Sequence, residues 1–189
     1  MALIYITGVS GSGKSTIRHA LQTHGYEAYD VDDQEISVIT ELDTGKTVKI
    51  PPVNLRGNDW FMRHSWTILP SAIDRLKRLS DSKLIFLCGA AKNDKDYWEL
   101  FDLVICLDIN EQELRRRIAN RKDNDYGKNN HELQEILDWH GVATENYRAL
   151  GAHVIDAIRP KDEVVEMILS LIKESHIGVI ASNKIIDKT

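Results

Sequence analysis

The chain has 189 residues, of which 42% are hydrophobic and 28% are charged, and these values are typical of a soluble globular protein with one domain. Its net charge of −5 disfavours a general nucleic-acid partner, because proteins that bind phosphate backbones carry a basic surface. No apolar run approaches the ~18 residues of a membrane span, and the N-terminal run is too short for a signal peptide, so we expect a cytoplasmic protein with no membrane partner.

The first feature along the chain is a glycine-rich loop, residues 8–16, between an apolar run and a helical pattern. Residues 2–7 are typical of a buried strand, and apolar residues at helical spacing continue to about Thr23. The loop GVSGSGKST fits the pattern G-x-x-x-x-G-K-S/T in the strand–loop–helix context that this motif requires. Its glycines let backbone N–H groups approach phosphate oxygens at the positive end of the helix. The sequence therefore predicts a nucleoside triphosphate site.

Two side chains of this phosphate loop have predicted roles beyond the backbone. Lys14 would reach the β- and γ-phosphates and neutralise charge during transfer, and the hydroxyl of Ser15 would ligate Mg²⁺. The nucleotide-binding set that we predict from the loop comprises Gly8, Ser10, Gly11, Ser12, Gly13, Lys14, Ser15 and Thr16.

Four more buried strands alternate with helices along the rest of the chain. Strands are predicted at 27–30, 83–88, 103–107 and 152–156, and helices at 14–23, 94–100, 110–121, 131–150 and 161–173. Short apolar strands that alternate with helices are typical of parallel strands covered on both faces. We expect a three-layer α/β fold over residues 1–174, with a five-stranded parallel sheet and a site at the carboxyl ends of its strands. Residues 175–189 are expected to form a C-terminal tail.

The stretch after the second strand is less regular. A turn at residues 43–46 favours a hairpin between 37–40 and 47–50. From Asp59 to Leu79 the apolar residues recur at spacings of three and four, which is typical of a helix, and Pro70 within this run predicts two helices or a kink near Leu69.

Two carboxylates follow the second strand directly. Asp30 and Asp32 are two residues apart and therefore share one side of an extended chain. One could accept the proton of an attacking hydroxyl or hold a water of the Mg²⁺ shell, and the other could bind substrate hydroxyls. The alternative is a solvated acidic turn, or a helix N-cap at Asp33. We interpret Asp32 as catalytic and both Asp30 and Asp32 as substrate-binding residues.

A run of arginines leads into the polar segment 122–130. Arg117 and Arg121 are four residues apart and share a helix face. An arginine pair beside a mobile loop suits a small lid that closes on ATP, excludes water and stabilises transferred charge, with Arg121 as a catalytic residue. The alternative is a solvated charged face, and we prefer that interpretation for Arg115 and Arg116.

An aromatic and basic set lies within the region that we expect to bind the second substrate, about residues 33–79. Its members are Arg56, Trp60, Arg63, His64 and Trp66. Trp60 and Arg63 are one helical turn apart and could form a wall and an anion clamp. The alternative is that both tryptophans belong to the core.

Together these features resemble the nucleoside-monophosphate-kinase superfamily, and within it the small kinases of the shikimate- and gluconate-kinase type. The resemblance covers about residues 2–174 and rests on the phosphate loop and three weaker motifs. Asp30-Val31-Asp32 is similar to the D-x-D after the second strand, and Arg117-Ile118-Ala119-Asn120-Arg121 is similar to the R-L/I-x-x-R that opens the lid. Asp156-Ala157-Ile158-Arg159-Pro160 is similar to the loop that contacts adenine.

The resemblance implies roles for several of these residues. Arg117 would pack on the adenine, Arg121 would reach the phosphates, and Asp156, Arg159 and Pro160 would help to bind the nucleotide. The third strand ends at Gly89 without an aspartate, so a standard Mg²⁺-binding carboxylate is missing. Gly89 would instead contact the acceptor or the γ-phosphate.

We therefore expect an ATP- and Mg²⁺-dependent kinase, a monomer or homodimer, that acts on a small-molecule acceptor. A hydroxyl of a sugar acid, a polyol or a nucleoside fits the two carboxylates best. A nucleotide acceptor, with Arg56 and Arg63 as its phosphate clamp, is the first alternative. An ATP-binding NTPase or regulator without an acceptor is the second.

Overall fold

A five-stranded parallel sheet forms the centre of the structure, a computed structural model that describes residues 1–52, 60–122 and 124–175. The strands of the chain are β1 Ala2–Thr7, β2 Glu27–Asp30, β3 Ser37–Glu41, β4 Thr47–Val48, β5 His64–Ile68, β6 Leu84–Cys88, β7 Leu103–Asp108 and β8 His153–Asp156. The helices are α1 Lys14–Thr23, α2 Trp60–Arg63, α3 Pro70–Ser80, α4 Glu111–Asn120, α5 Asn130–Ala149 and α6 Lys161–Glu174, with a 3₁₀ helix at Asp94–Leu100.

The parallel sheet has the strand order β2-β6-β1-β7-β8. The central strand β1 pairs with β6 on one side, where Ile4 lies opposite Phe86, and with β7 on the other. Every residue of β1 is buried, because helices cover both faces of the sheet. This arrangement confirms the predicted fold class. After β1 the chain continues to one edge of the sheet and after β7 to the other, and open α/β sheets bind their ligands where this direction changes.

Local signals begin two of the helices that flank the site. The side chain of Asn110 accepts a hydrogen bond of 2.8 Å from the backbone N–H of Glu113 at the start of α4. Asn129 accepts an equivalent bond of 2.8 Å from Glu132 at the start of α5. In contrast, α1 follows Gly13 without a side-chain cap, so its first N–H groups are left to another acceptor.

A second, three-stranded antiparallel sheet follows β2, in the order β4-β3-β5. Its β3–β4 hairpin confirms the predicted one, with Thr40 opposite Thr47. The predicted helix over 59–79 is wrong at residues 64–68, which form β5 and pair with β3. Pro70 breaks the helical pattern as expected, but as the first residue of α3, where its missing N–H costs nothing.

Hydrogen bonds fix the second edge of β5 to the loop that follows β6. The side-chain amide of Asn93 accepts from the N–H of Ile68 at 2.8 Å and donates to its carbonyl at 3.1 Å. The N–H of Lys92 donates to the carbonyl of Trp66 at 2.8 Å. The small sheet is therefore held beside the carboxyl end of β6.

None of the helices in the described ranges is long and apolar enough to cross a membrane.

Candidate active site

A cavity of about 900 Å³ opens at the carboxyl ends of the parallel strands. It collects most of the residues that the sequence singled out, although these come from distant parts of the chain. Of the predicted site residues, those that line it are Ser10, Gly11, Ser12, Gly13, Lys14, Ser15, Thr16, Asp30, Asp32, Gly89, Arg117, Arg121 and Arg159.

The phosphate loop has a backbone that favours glycine at three of its positions, Gly8, Gly11 and Gly13. Gly8 has φ 138°, and an added Cβ would lie 2.6 Å from the carbonyl oxygen of Leu107. Gly13 has φ 109° and immediately precedes α1, where an added Cβ would approach Arg117 Nη1 to 3.1 Å. The loop can therefore curve closely around an anion, beside the uncapped N–H groups of α1.

Lys14 spans the phosphate loop from the first residue of α1. Its ammonium donates to the carbonyl oxygens of Gly8 and Val9, both at 2.8 Å. Burial lowers the pKa of Lys14 from its ordinary value to about 8, although the carboxylates of Asp32 and Asp30 act in the opposite direction. The lysine therefore lies close to both acids and is poorly hydrated.

The two acids after β2 have different surroundings. Asp30 forms an ion pair with Arg18, with its Oδ2 3.1 Å from Nε, and its Oδ1 accepts from the N–H of Asp32 at 3.1 Å. Among the described residues, no cation lies within ion-pair distance of the Asp32 carboxylate, which is exposed at the cavity rim. Protein atoms nonetheless crowd this carboxylate, and the loss of hydration, together with the charge of Asp30, raises the pKa of Asp32.

Arg117 braces two loops of the site. Its Nη1 donates to the carbonyl of Ser12 at 2.9 Å, and its Nη2 donates to the carbonyl of Ala157 at 2.6 Å. Its Nε donates to Glu113 at 2.7 Å. Hydrogen bonds from Arg116 and Arg117 lower the pKa of Glu113 to about 2.

Arg121 contacts the phosphate loop, and described residues of the segment after it line the cavity or pack against α5. Nη1 of Arg121 lies 3.2 Å from Ser10 Oγ, to which it donates. Further along, the N–H of Gly127 donates to the buried carboxylate of Glu132 at 2.8 Å, and Tyr126 lines the cavity. An added Cβ at Gly127 would lie 2.6 Å from Ile136 Cδ1, so this segment packs closely against α5.

Three consecutive residues of β5 form a wall that the sequence pattern had placed on a helix. His64, Ser65 and Trp66 all line the cavity, and the ring of Trp60 stacks on His64 with centroids 4.4 Å apart. Ser65 was not singled out from the sequence. The available signal was the run His64–Ile68, where aromatic and β-branched residues are typical of a strand.

Some predicted residues lie away from this cavity. Trp60, Arg63, Asp156 and Pro160 do not line it, and neither does Gly8, whose carbonyl instead holds Lys14. Asp156 shapes its own loop by accepting from the N–H of Ile158 at 3.0 Å. Arg56 lies outside the described residues. The roles that the sequence suggested for these residues stay predictions.

A family profile described as an AAA domain matches residues 4–138, which is more than half of the chain. The chain belongs to the AAA domain family. No match was found among curated proteins.

Solved structures share the fold of this AAA domain at low sequence identity. Shikimate kinase from Acinetobacter baumannii in complex with shikimate is 19% identical, with a TM-score of 0.58 over 92% of this chain and 94% of that one. Deoxyadenosine kinase from M. mycoides with bound dATP is 17% identical, with a TM-score of 0.51 over 92% and 100%. A gluconokinase from Sinorhizobium meliloti 1021 is 18% identical, with a TM-score of 0.50 over 100% and 98%. The likeness is one of fold, the P-loop kinase fold.

A divalent cation would find few protein ligands in this AAA domain. The described residues contain no group of three or more His, Cys, Asp or Glu side chains placed to hold a metal ion. The strand β6 ends at Cys88, followed by Gly89, while the Ser15 hydroxyl lies exposed beside Lys14. These donors fit Mg²⁺, which keeps several waters and is bound largely through substrate phosphates, better than they fit a metal that requires a closed protein cage.

Proposed function

We propose that this AAA domain is an ATP-dependent kinase that transfers the γ-phosphoryl group to a hydroxyl of a small-molecule acceptor. The observation that carries the proposal is the placement of Lys14, Arg121 and Asp32 around one cavity. Phosphoryl transfer depends mainly on positioning and charge neutralisation, which these three groups supply. The occurrence of the same fold in a shikimate kinase, a deoxyadenosine kinase and a gluconokinase agrees with this function.

The donor would bind at the phosphate loop. Two of the three N–H donors of Lys14 are used by backbone carbonyls, so one remains for a phosphate oxygen. Arg121 lies over the loop and would neutralise the transferred charge. Arg117, held between the phosphate loop and the turn after β8, would pack on the adenine. Asp156, Arg159 and Pro160, which are neighbours of Ala157 in the sequence, would help to bind the nucleotide.

Mg²⁺ would be held by the Ser15 hydroxyl together with phosphate oxygens and waters, and Asp30 could bind one of those waters. When bound, the ion neutralises charge on the β- and γ-phosphates. The chain itself would contribute the fixed position of Ser15 on α1, next to Lys14.

The acceptor would bind beside Asp32. The carboxylate of Asp32 would take the proton of the acceptor hydroxyl while the acceptor oxygen forms a bond to the γ-phosphorus and the bond to ADP breaks. A raised pKa suits a proton acceptor, since it brings the basicity of the carboxylate nearer to the working pH. Asp30 would support this carboxylate through its bond to the Asp32 N–H, and Gly89 would contact the acceptor or the γ-phosphate.

The segment 122–130 would act as the lid. Its Tyr126 and Gly127 already contact the cavity and α5, and closing such a segment excludes water from the transferred phosphoryl group.

ADP release in the presence of a panel of hydroxyl compounds tests the proposal. We expect at least one compound to raise turnover above the basal rate, and Asp32→Asn to lower kcat on it by about 10²-fold or more while ATP binding is retained. Asp33→Asn is the matched control, because this neighbouring acid does not line the cavity. If no compound raises turnover, or if the two variants behave alike, the proposed function is wrong.

A further inference from the structure

The strand order places the basic residues of the cavity, apart from Lys14, on one side, which the acidic Glu135 also lines. On one side of β1 lie β6 and β2, and on the other lie β7 and β8. Lys14 belongs to the central loop. All other lysines and arginines that line the cavity in the described ranges come after β7 or β8, and they are Arg116, Arg117, Arg121, Arg159 and Lys161.

The side formed by β2 and β6 has the opposite character. Its described lining residues are Asp30, Asp32, Ile50, His64, Ser65, Trp66, Gly89 and Ala90. No lysine or arginine is among them. Arg18 offsets part of the charge of Asp30, with which it forms an ion pair at 3.1 Å, whereas Asp32 has no ion-pair partner among the described residues, so this side is acidic.

A carboxylate or phosphate on the acceptor would be unfavourable here. Anionic groups are usually bound by arginine forks or lysine ammonium groups, and an anion beside Asp32 would instead meet a like charge. We propose, on the basis of the kinase function above, that the acceptor is an uncharged ring-bearing alcohol, such as a neutral sugar or a nucleoside. Sugar acids and nucleotides are disfavoured.

The ring requirement comes from the wall on β5. His64 and Trp66 are two residues apart on one strand and therefore share a face of the small sheet, and Trp60 stacks on His64. Indole and imidazole faces bind the C–H face of a sugar ring or a planar base. Because Asn93 and Lys92 hold the backbone of β5, this wall is fixed before the acceptor binds.

Matched pairs of acceptors test the charge preference. ADP release is measured for glucose and glucuronate, and for adenosine and AMP, within a wider panel of aldoses, cyclic polyols and nucleosides and their carboxylate or phosphate counterparts. We expect one of the pairs to be active, with kcat/KM at least about tenfold higher for its uncharged member. Which pair is active shows whether the acceptor is a sugar or a nucleoside. Preference for the anionic member would overturn the inference but leave the kinase function standing. No turnover with any compound would contradict both.

Two sets of variants separate acceptor recognition from folding. Trp66→Ala should raise the KM of the uncharged acceptor by up to about tenfold and Trp66→Phe by less, with the KM of ATP unchanged in both. Equal changes in both KM values would contradict a role in acceptor binding. Arg56→Gln should leave the preference between paired acceptors unchanged. A shift toward uncharged acceptors in Arg56→Gln would mean that the parent protein binds an anion, and would overturn the inference.

Discussion

Lys14 carries its positive charge in a poorly hydrated position, which makes protonation of its amine less favourable than in water. The two backbone carbonyls that accept from its ammonium replace only part of the lost hydration, so its pKa lies at about 8. Binding a triphosphate would add negative charge beside the ammonium and raise this pKa again. ATP binding should therefore be coupled to protonation of Lys14.

The affinity for ATP should fall as the pH rises from 7 to 9. Lys14 is mostly protonated below pH 8 and mostly neutral above it, so the phosphates lose a cationic partner across this range and the Kd should increase about tenfold. Calorimetric titration at pH 7, 8 and 9 measures this. Lys161→Gln, which changes an amine elsewhere in the cavity, should keep the same slope, and a constant Kd would contradict the assignment.

At the scale of the element, Glu113 in the first turn of α4 orients two arginines of the same helix toward the site. Glu113 receives hydrogen bonds from Arg116 and Arg117 and thereby fixes the guanidinium that joins Ser12 to Ala157. Glu111 offers a natural comparison, because it pairs with the exposed Arg115 on the same helix, away from the cavity lining.

Glu113→Gln should loosen Arg117 and weaken the nucleotide site. Loss of the charged partner should raise the KM for ATP by about three- to tenfold, since charge-assisted hydrogen bonds are roughly twice as strong as neutral ones. Steady-state kinetics with Glu111→Gln as the matched control measure this effect. Equal KM values for the two variants would show that Glu113 does not position Arg117.

The elements also show what local pattern can predict. The strands β1, β6 and β7 are apolar runs and Asn110 is an ordinary N-cap, so all of them could be predicted from neighbouring residues. The strand β5 could not, because apolar spacing from Asp59 to Leu79 also fits a helix and the deciding partners, β3 and Asn93, lie far along the chain. Ser65 was missed for the same reason. The phosphate loop was found because its motif is contiguous.

At the scale of the molecule, a buried acid joins three elements that are distant along the chain. Asp94, in the 3₁₀ helix, accepts from the hydroxyls of Tyr5 on β1 and Tyr147 on α5 at 3.2 and 3.1 Å. Burial raises the pKa of Asp94, and the two hydroxyl donors offset only part of that effect. Such a contact between distant residues has no local pattern and could not be predicted from the sequence.

Replacing this acid by an amide should change how stability depends on pH. Because the pKa is higher in the folded state, folding favours the protonated acid, and this contribution is present at low pH and lost as the pH rises through the raised pKa. The wild type should therefore gain stability relative to Asp94→Asn as the pH falls from 7 through the raised pKa of Asp94. Urea unfolding at pH 7, 6 and 5 measures the difference, and a constant or opposite trend would contradict it.

The position of β5 beside β6 has a consequence for how this site can change. The cavity residues on the side of β2 and β6 all fall within one uninterrupted stretch, 30–90, whereas those of the central loop come from 10–17 and those of the other side from 116–164. One segment exchange could therefore replace Asp32 together with the wall that faces it, and leave the phosphate loop, Arg117 and Arg121 in place. Acceptor specificity could therefore change by exchange of this one segment, while the residues that would bind the triphosphate stay the same.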